Sequence, residues 1–188
     1  MGEVKALIFD CDGTLTNSMP LHYRAWRQIL DPINVEFTED RFYELAGMPG
    51  RNVFTEVAGD QFSAETIEEL LATREDLFFE LLGEIEPVAA VVEVAHEAFG
   101  KMPMAVASGS VRESVERQLK TLGIRSWFDA VVTAEDTKRH KPHPDVFLEA
   151  ARQLDISPHL CRVYEDSDLG IEAAKRAEMA WVDVRPLY

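Results

Sequence analysis

The sequence is short of cysteine, of basic residues and of long apolar runs, and each shortage closes off a class of function. Two cysteines in 188 residues, Cys11 and Cys161, cannot build a disulfide framework. Both lie inside or beside apolar, strand-like runs, so they are expected as buried thiols in a reducing compartment, with the cytoplasm as the default location. Lysine and arginine number 19 against 34 aspartates and glutamates, a formal net charge of −15. Such a chain offers no broad basic face to a phosphate backbone, so nucleic acid is not an expected partner. No window is long and apolar enough to span a membrane, and Met1-Gly2-Glu3-Val4-Lys5 leads into a strand rather than a signal peptide. Neither a Walker loop nor a dinucleotide glycine fingerprint occurs, which argues against a nucleotide-dependent enzyme. A small phosphorylated substrate stays compatible with the charge, because a site can be locally positive or hold a cation.

What is present is a pattern that changes part-way along the chain. Val4 to Phe9 reads as a fully buried strand. Residues 17–87 read as all-helical: Pro20 opens one helix that Asp31-Pro32 stops, Thr38-Glu39-Asp40 starts another, and Ser63-Ala64-Glu65 opens a long one to about Leu82. After Pro87 helices and short apolar strands alternate. Strands are expected at Met104–Ala107, Ala130–Thr133, Arg162–Tyr164 and Trp181–Val184. Ser110 and Glu113 are spaced as a capping box for a helix from Val111 to Leu122, with Gly123 ending it. Alternation of this kind implies an α/β fold with a doubly wound, parallel, five-stranded sheet.

Ligands of such sheets bind beyond the carboxyl ends of the strands, and those ends are rich in reactive residues. The first strand ends in Asp10-Cys11-Asp12-Gly13-Thr14, with the two carboxylates on the same side of the chain. By itself this is either a strand followed by an Asp-Gly turn or a cation site with a nucleophilic aspartate. The second strand ends in Ser108-Gly109-Ser110, where free backbone N–H groups suit an anion. Lys138-Arg139-His140-Lys141-Pro142 follows the third, and Glu165-Asp166-Ser167-Asp168 ends the fourth.

In that order the segments resemble the haloacid dehalogenase superfamily of aspartyl phosphotransferases, over nearly the whole chain. Its motifs are matched by Asp10-Cys11-Asp12-Gly13-Thr14-Leu15, Ser108, Lys141 in Lys141-Pro142-His143-Pro144-Asp145, and Glu165-Asp166-Ser167. Leu21-His22-Tyr23-Arg24-Ala25-Trp26 and Glu165-Asp166-Ser167-Asp168-Leu169-Gly170-Ile171 look like the branch of β-phosphoglucomutases and small sugar-phosphate phosphatases, the fructose-1-phosphate phosphatase type among them. The resemblance implies a catalytic core of residues 1–16 and 88–188, with 17–87 as an inserted helical cap domain. It implies Asp10 as nucleophile and Asp12 as general acid and base. Mg²⁺ would be held by Asp10, the Asp12 main-chain carbonyl and Asp166, with Glu165 assisting. Ser108, the Gly109 N–H and Lys141 would bind phosphoryl oxygens, while His22, Arg51 and Arg74 would face the site from the cap. For His22 a place on the helix surface, and for Arg74 ion pairs with its acidic neighbours, are the competing readings.

The implied substrate is a small sugar or polyol phosphate and the implied reaction its hydrolysis, by a monomer. Alternatives are a hexose-phosphate mutase, a phospho-receiver module or a non-catalytic phosphate-binding protein. A receiver lacks a helical insertion after its first strand.

Overall fold

β1 (Ala6–Phe9) is an apolar run that can be buried on both faces at once, and all its residues are buried. Ala6 and Ile8 pack with Ala105, Phe147 and Val163 on one side, whereas Leu7 and Phe9 pack with Val106, Val115 and Leu119 on the other. This is the period-two alternation of a strand, used to join two cores. The structure is a computed structural model and describes residues 3–187. β2 (Met104–Ala107), β3 (Ala130–Val132), β4 (Cys161–Glu165) and β5 (Ala180–Asp183) complete a five-stranded sheet of order β3-β2-β1-β4-β5. All pairings are parallel; Leu7 lies opposite Met104 on β2 and Ile8 opposite Val163 on β4. The order reverses between β1 and β4, where sheets of this kind hold ligands.

Between β1 and β2 the chain first makes α1 (Met19–Leu30), α2 (Glu39–Glu44), α3 (Gly50–Ala58) and α4 (Ala64–Leu81). Local chemistry starts them: Pro20 occupies the first turn of α1. The Thr38 and Ser63 hydroxyls accept from the N–H groups of Arg41 and Thr66, at 3.3 and 3.1 Å, and so cap α2 and α4. These helices bury an apolar cluster of their own, including Trp26, Phe37, Phe42 and Phe54. Two linkers join this helical layer to the sheet. They are tied to each other, with the Asn17 N–H donating to the Glu86 carbonyl (2.8 Å) and the Val88 N–H to that of Leu15 (3.0 Å).

α5 (Ala89–Ala98) and α6 (Arg112–Thr121) cover the Leu7/Phe9 face of the sheet, and α7 (Asp145–Gln153) and α8 (Asp168–Arg176) the other. The predicted capping box on α6 is not formed. Val111 is the N-cap, no side chain caps the helix, and the Ser110 hydroxyl instead donates to Asp12 Oδ2 at 2.6 Å. The hydroxyl is oriented by a charge-assisted hydrogen bond to a carboxylate, stronger than the neutral bond a backbone N–H would give it, so the tertiary partner prevails. Both cysteines are buried and free.

Candidate active site

Asp10 follows β1 directly, and Glu165 and Asp166 end the neighbouring β4, so parallel pairing brings three carboxylates to one rim. Their oxygens lie within 4.8 Å of one another. Lys141 reaches them from the segment after β3: its Nζ donates to Asp10 Oδ1 at 2.6 Å and to Glu165 Oε2 at 2.8 Å, fully enclosed. Burial opposes the ammonium charge, but Asp10 and Glu165 outweigh it and hold the Lys141 pKa above its ordinary value. Burial, then Glu165, push the Asp10 carboxyl up to about 8 in spite of Lys141. Desolvation and the same neighbours raise Asp166 well above the usual carboxylate range. One ammonium therefore does not neutralise these acids, and a further positive charge is called for. An all-oxygen donor set of this kind fits a hard divalent cation such as Mg²⁺. Glu165 is the least free of the group, since its Oε1 already accepts from the Ser167 N–H and hydroxyl. Gly13 (φ +78°) turns the chain beside Asp166, where a Cβ would collide with that carboxylate.

Asp12 is held differently. Its Oδ1 accepts from Ser18 Oγ (2.7 Å), His22 Nε2 (2.7 Å) and Gln118 Nε2 (2.8 Å), and its Oδ2 from Ser110 Oγ. Burial pushes its carboxyl up, but His22, Ser110 and Ser18 overcome this and keep it well below the usual range. His22 is buried, stacked 3.8 Å from Phe78 and at an interplanar angle of 12°. Its Nδ1 faces Arg74 Nη1 at 3.2 Å. A guanidinium has no lone pair, so Nδ1 accepts and the ring proton sits on Nε2, toward Asp12.

A cavity of about 400 Å³ opens above these groups, lined by Asp10, Asp12, Ser108, Gly109, Glu165 and Asp166 below and by residues of the helical layer above. That volume lies in the usual range for small-molecule sites. His22, Arg51 and Arg74 all line it. His22 is not on the surface, whereas Arg74 does pair with its acidic neighbour Glu75, though as a buried side chain with its guanidinium 5.2 Å from the Trp26 ring centre. Arg51 is exposed at the cavity wall and paired with Glu68. Ser108 is buried at the floor, its hydroxyl accepting from the Ser110 N–H at 3.0 Å.

The family model of the haloacid dehalogenase-like hydrolases matches residues 7–184. The chain belongs to this family. Among relatives of this hydrolase, fructose-1-phosphate phosphatase YqaB of Escherichia coli is 38% identical over 183 residues, covering 96% of each chain. The β-phosphoglucomutase of Bacillus subtilis is 28% identical over 188 residues, covering 96% of this hydrolase and 83% of the relative. In three dimensions it is similar to the crystal structure of β-phosphoglucomutase from Clostridium difficile, with a TM-score of 0.87 and 26% identity over 96% of this chain and 84% of the other. Sequence reasoning about this hydrolase missed Ser18, Ser110 and Gln118, all of which touch Asp12. Gln118 carried a readable signal: with Ser114, Val115 and Leu119 it falls on the buried face of α6.

Proposed function

We propose that the chain is a Mg²⁺-dependent phosphatase of small sugar or polyol phosphates that works through an aspartyl-phosphate on Asp10. The observation that carries this reading is the meeting of Asp10, Glu165 and Asp166 at the floor of one cavity, with Lys141 bonded to Asp10 and Glu165. Asp10, Asp166 and the Asp12 carbonyl would hold Mg²⁺, with Glu165 orienting Lys141 and assisting. The bound cation supplies charge neutralisation between the carboxylates and a phosphate dianion.

In the first step an Asp10 oxygen bonds to phosphorus as the bond to the leaving oxygen breaks, and that oxygen takes a proton from Asp12. The hydrogen bonds from Ser18, His22, Gln118 and Ser110 hold Asp12 ionised in this structure, and it acts as an acid only once bound ester has displaced some of them. In the second, water bonds to phosphorus, its proton passes to Asp12, and the Asp10–phosphorus bond breaks. Lys141, Ser108 and the Gly109 N–H neutralise the phosphoryl oxygens. The helical layer, as a cap of residues 17–87 on a core of 1–16 and 88–188, covers the leaving group. The names of the relatives support sugar phosphates as substrates. The phosphoglucomutase relative supports a mutase as second reading, whereas the phosphatase relative is the more similar in sequence.

The test is phosphate release across sugar, polyol and glycolate phosphates, with Mg²⁺ and with chelator. Release from sugar or polyol phosphates that chelator abolishes is expected. Turnover indifferent to chelator contradicts the metal dependence, and dominant isomerisation of a hexose 1-phosphate contradicts hydrolysis.

A further inference from the structure

The side chains that hold Asp12 come from two sides of the cavity. Ser18 precedes α1 and His22 lies on it, so both belong to the helical layer and its linker. Ser110 follows β2 and Gln118 lies on α6, so both belong to the sheet side. Their bonds are divided unequally: Oδ1 accepts from Ser18, His22 and Gln118, and Oδ2 from Ser110. A bound ester meets His22 and Ser110 directly, because both line the cavity. Gln118 is fully buried behind Asp12 and lies outside that lining. Of the donors to Oδ1, Gln118 is thus the one that is out of reach of an ester and independent of the helical layer.

The division also tells the two carboxylate oxygens apart. The Gln118 amide nitrogen can only donate, and so can His22 Nε2, with Nδ1 facing Arg74. A carboxyl proton on Oδ1 would point into these N–H groups. On Oδ2 it meets a hydroxyl, which can turn from donor to acceptor or give way to an ester oxygen. Oδ2 is therefore the oxygen that can serve the leaving group, and its aim depends on what holds Oδ1. The Gln118 amide is itself held, since its Oε1 accepts from the Thr16 hydroxyl at 2.6 Å.

We propose that Gln118 is a positioning residue of the reaction: from α6 it keeps hold of Asp12 Oδ1 while ester displaces His22 and Ser110, so that Oδ2 faces the leaving oxygen. The inference rests on the phosphatase reading above and adds to it a residue outside the substrate cavity.

Proton donation matters for an alkoxide leaving group and little for p-nitrophenolate or acetate, which depart unprotonated. The test compares kcat/KM on a hexitol phosphate with that on two activated esters, p-nitrophenyl phosphate and acetyl phosphate. The proteins, all loaded with Mg²⁺, are the wild type, Gln118→Met, Gln118→Leu and Thr16→Val. Gln118→Met is expected to lower kcat/KM on the hexitol ester roughly 100-fold, the scale of a misaligned catalytic group, and to leave the activated esters nearly untouched. Gln118→Leu gives the same selective loss and decides the matter should the methionine variant fail to fold. Thr16→Val ends the bond between Thr16 and Gln118 but keeps the donor to Asp12, so its loss on the hexitol ester is much smaller. Equal losses on all three esters, no loss on the hexitol ester, or a Thr16→Val loss as large as that of Gln118→Met overturn the proposal and leave the phosphatase reading intact. A wild type that releases phosphate from none of the esters overturns both. Turnover of the activated esters is the internal control for folding and metal loading of the variants.

Discussion

Asp12 shows how much one side chain can depend on distant residues. Gln118 lies on α6, 106 positions away, and its amide has one possible orientation: Oε1 accepts from the Thr16 hydroxyl at 2.6 Å, and Nε2 donates to Asp12. Turned over, the amide would set its oxygen against the carboxylate. Gln118→Leu removes a donor from a carboxylate and leaves the Thr16 hydroxyl only the Cys11 carbonyl, 3.1 Å away, which should cost about 1–3 kcal/mol at pH 7. The pH dependence follows from the depressed Asp12 pKa. The stability it confers is complete above the unfolded-state value of about 4 and is lost as pH falls through the folded-state value. Urea unfolding at neutral and acid pH should therefore show the gap between wild type and Gln118→Leu shrinking at the acid end. A gap that does not change with pH would mean that the hydrogen bond to the carboxylate contributes nothing. Asp10, Asp12, Ser108, Lys141, Glu165 and Asp166 were legible in the sequence because each stands in a short motif at a strand end. Ser110 was not, and of Gln118 only its place on the buried face of α6 was readable, because their role toward Asp12 exists only once β1 and α6 have packed.

Elements of the helical layer were readable for a related reason. Thr38 and Ser63 announce α2 and α4 by local hydrogen bonds that form wherever the segment is placed. How the layer approaches the sheet is not local, and there glycines decide. Gly47, in the turn between α2 and α3 (φ +87°), meets Gly109 at the end of β2. A Cβ on Gly109 would come within 2.6 Å of the Gly47 carbonyl oxygen. Backbone cannot yield as a flexible side chain can, so Gly109→Ala should push the turn away from the floor and spoil the alignment of bound ester. A displacement near 1 Å can cost roughly a hundredfold in rate. We expect kcat/KM on a hexitol phosphate to fall by about that factor, with the sheet intact by circular dichroism and little change in the thermal midpoint. Wild-type kcat/KM in the variant would show that this close approach has no part in catalysis.

For the whole molecule, the alternation of strands and helices made the doubly wound sheet legible, but not its order. That order matters: β4 rather than β3 lies beside β1, so Glu165 and Asp166 meet Asp10. Register and neighbour choice come from packing of Ala6 and Ile8 against Ala105 and Val163, among residues far apart in sequence. The same arrangement reconciles a net charge of −15 with a phosphate ester as substrate, because Lys141 and a bound cation would set the charge where it counts. The central claim is that this topology makes Asp10 a nucleophile. Rapid acid quenching of the Mg²⁺-loaded protein during turnover, followed by peptide mapping, tests it most directly. The account predicts a hydroxylamine-sensitive acyl phosphate on Asp10, absent from Asp10→Asn. Turnover with phosphate bonded to another residue, or full activity in Asp10→Asn, would contradict it.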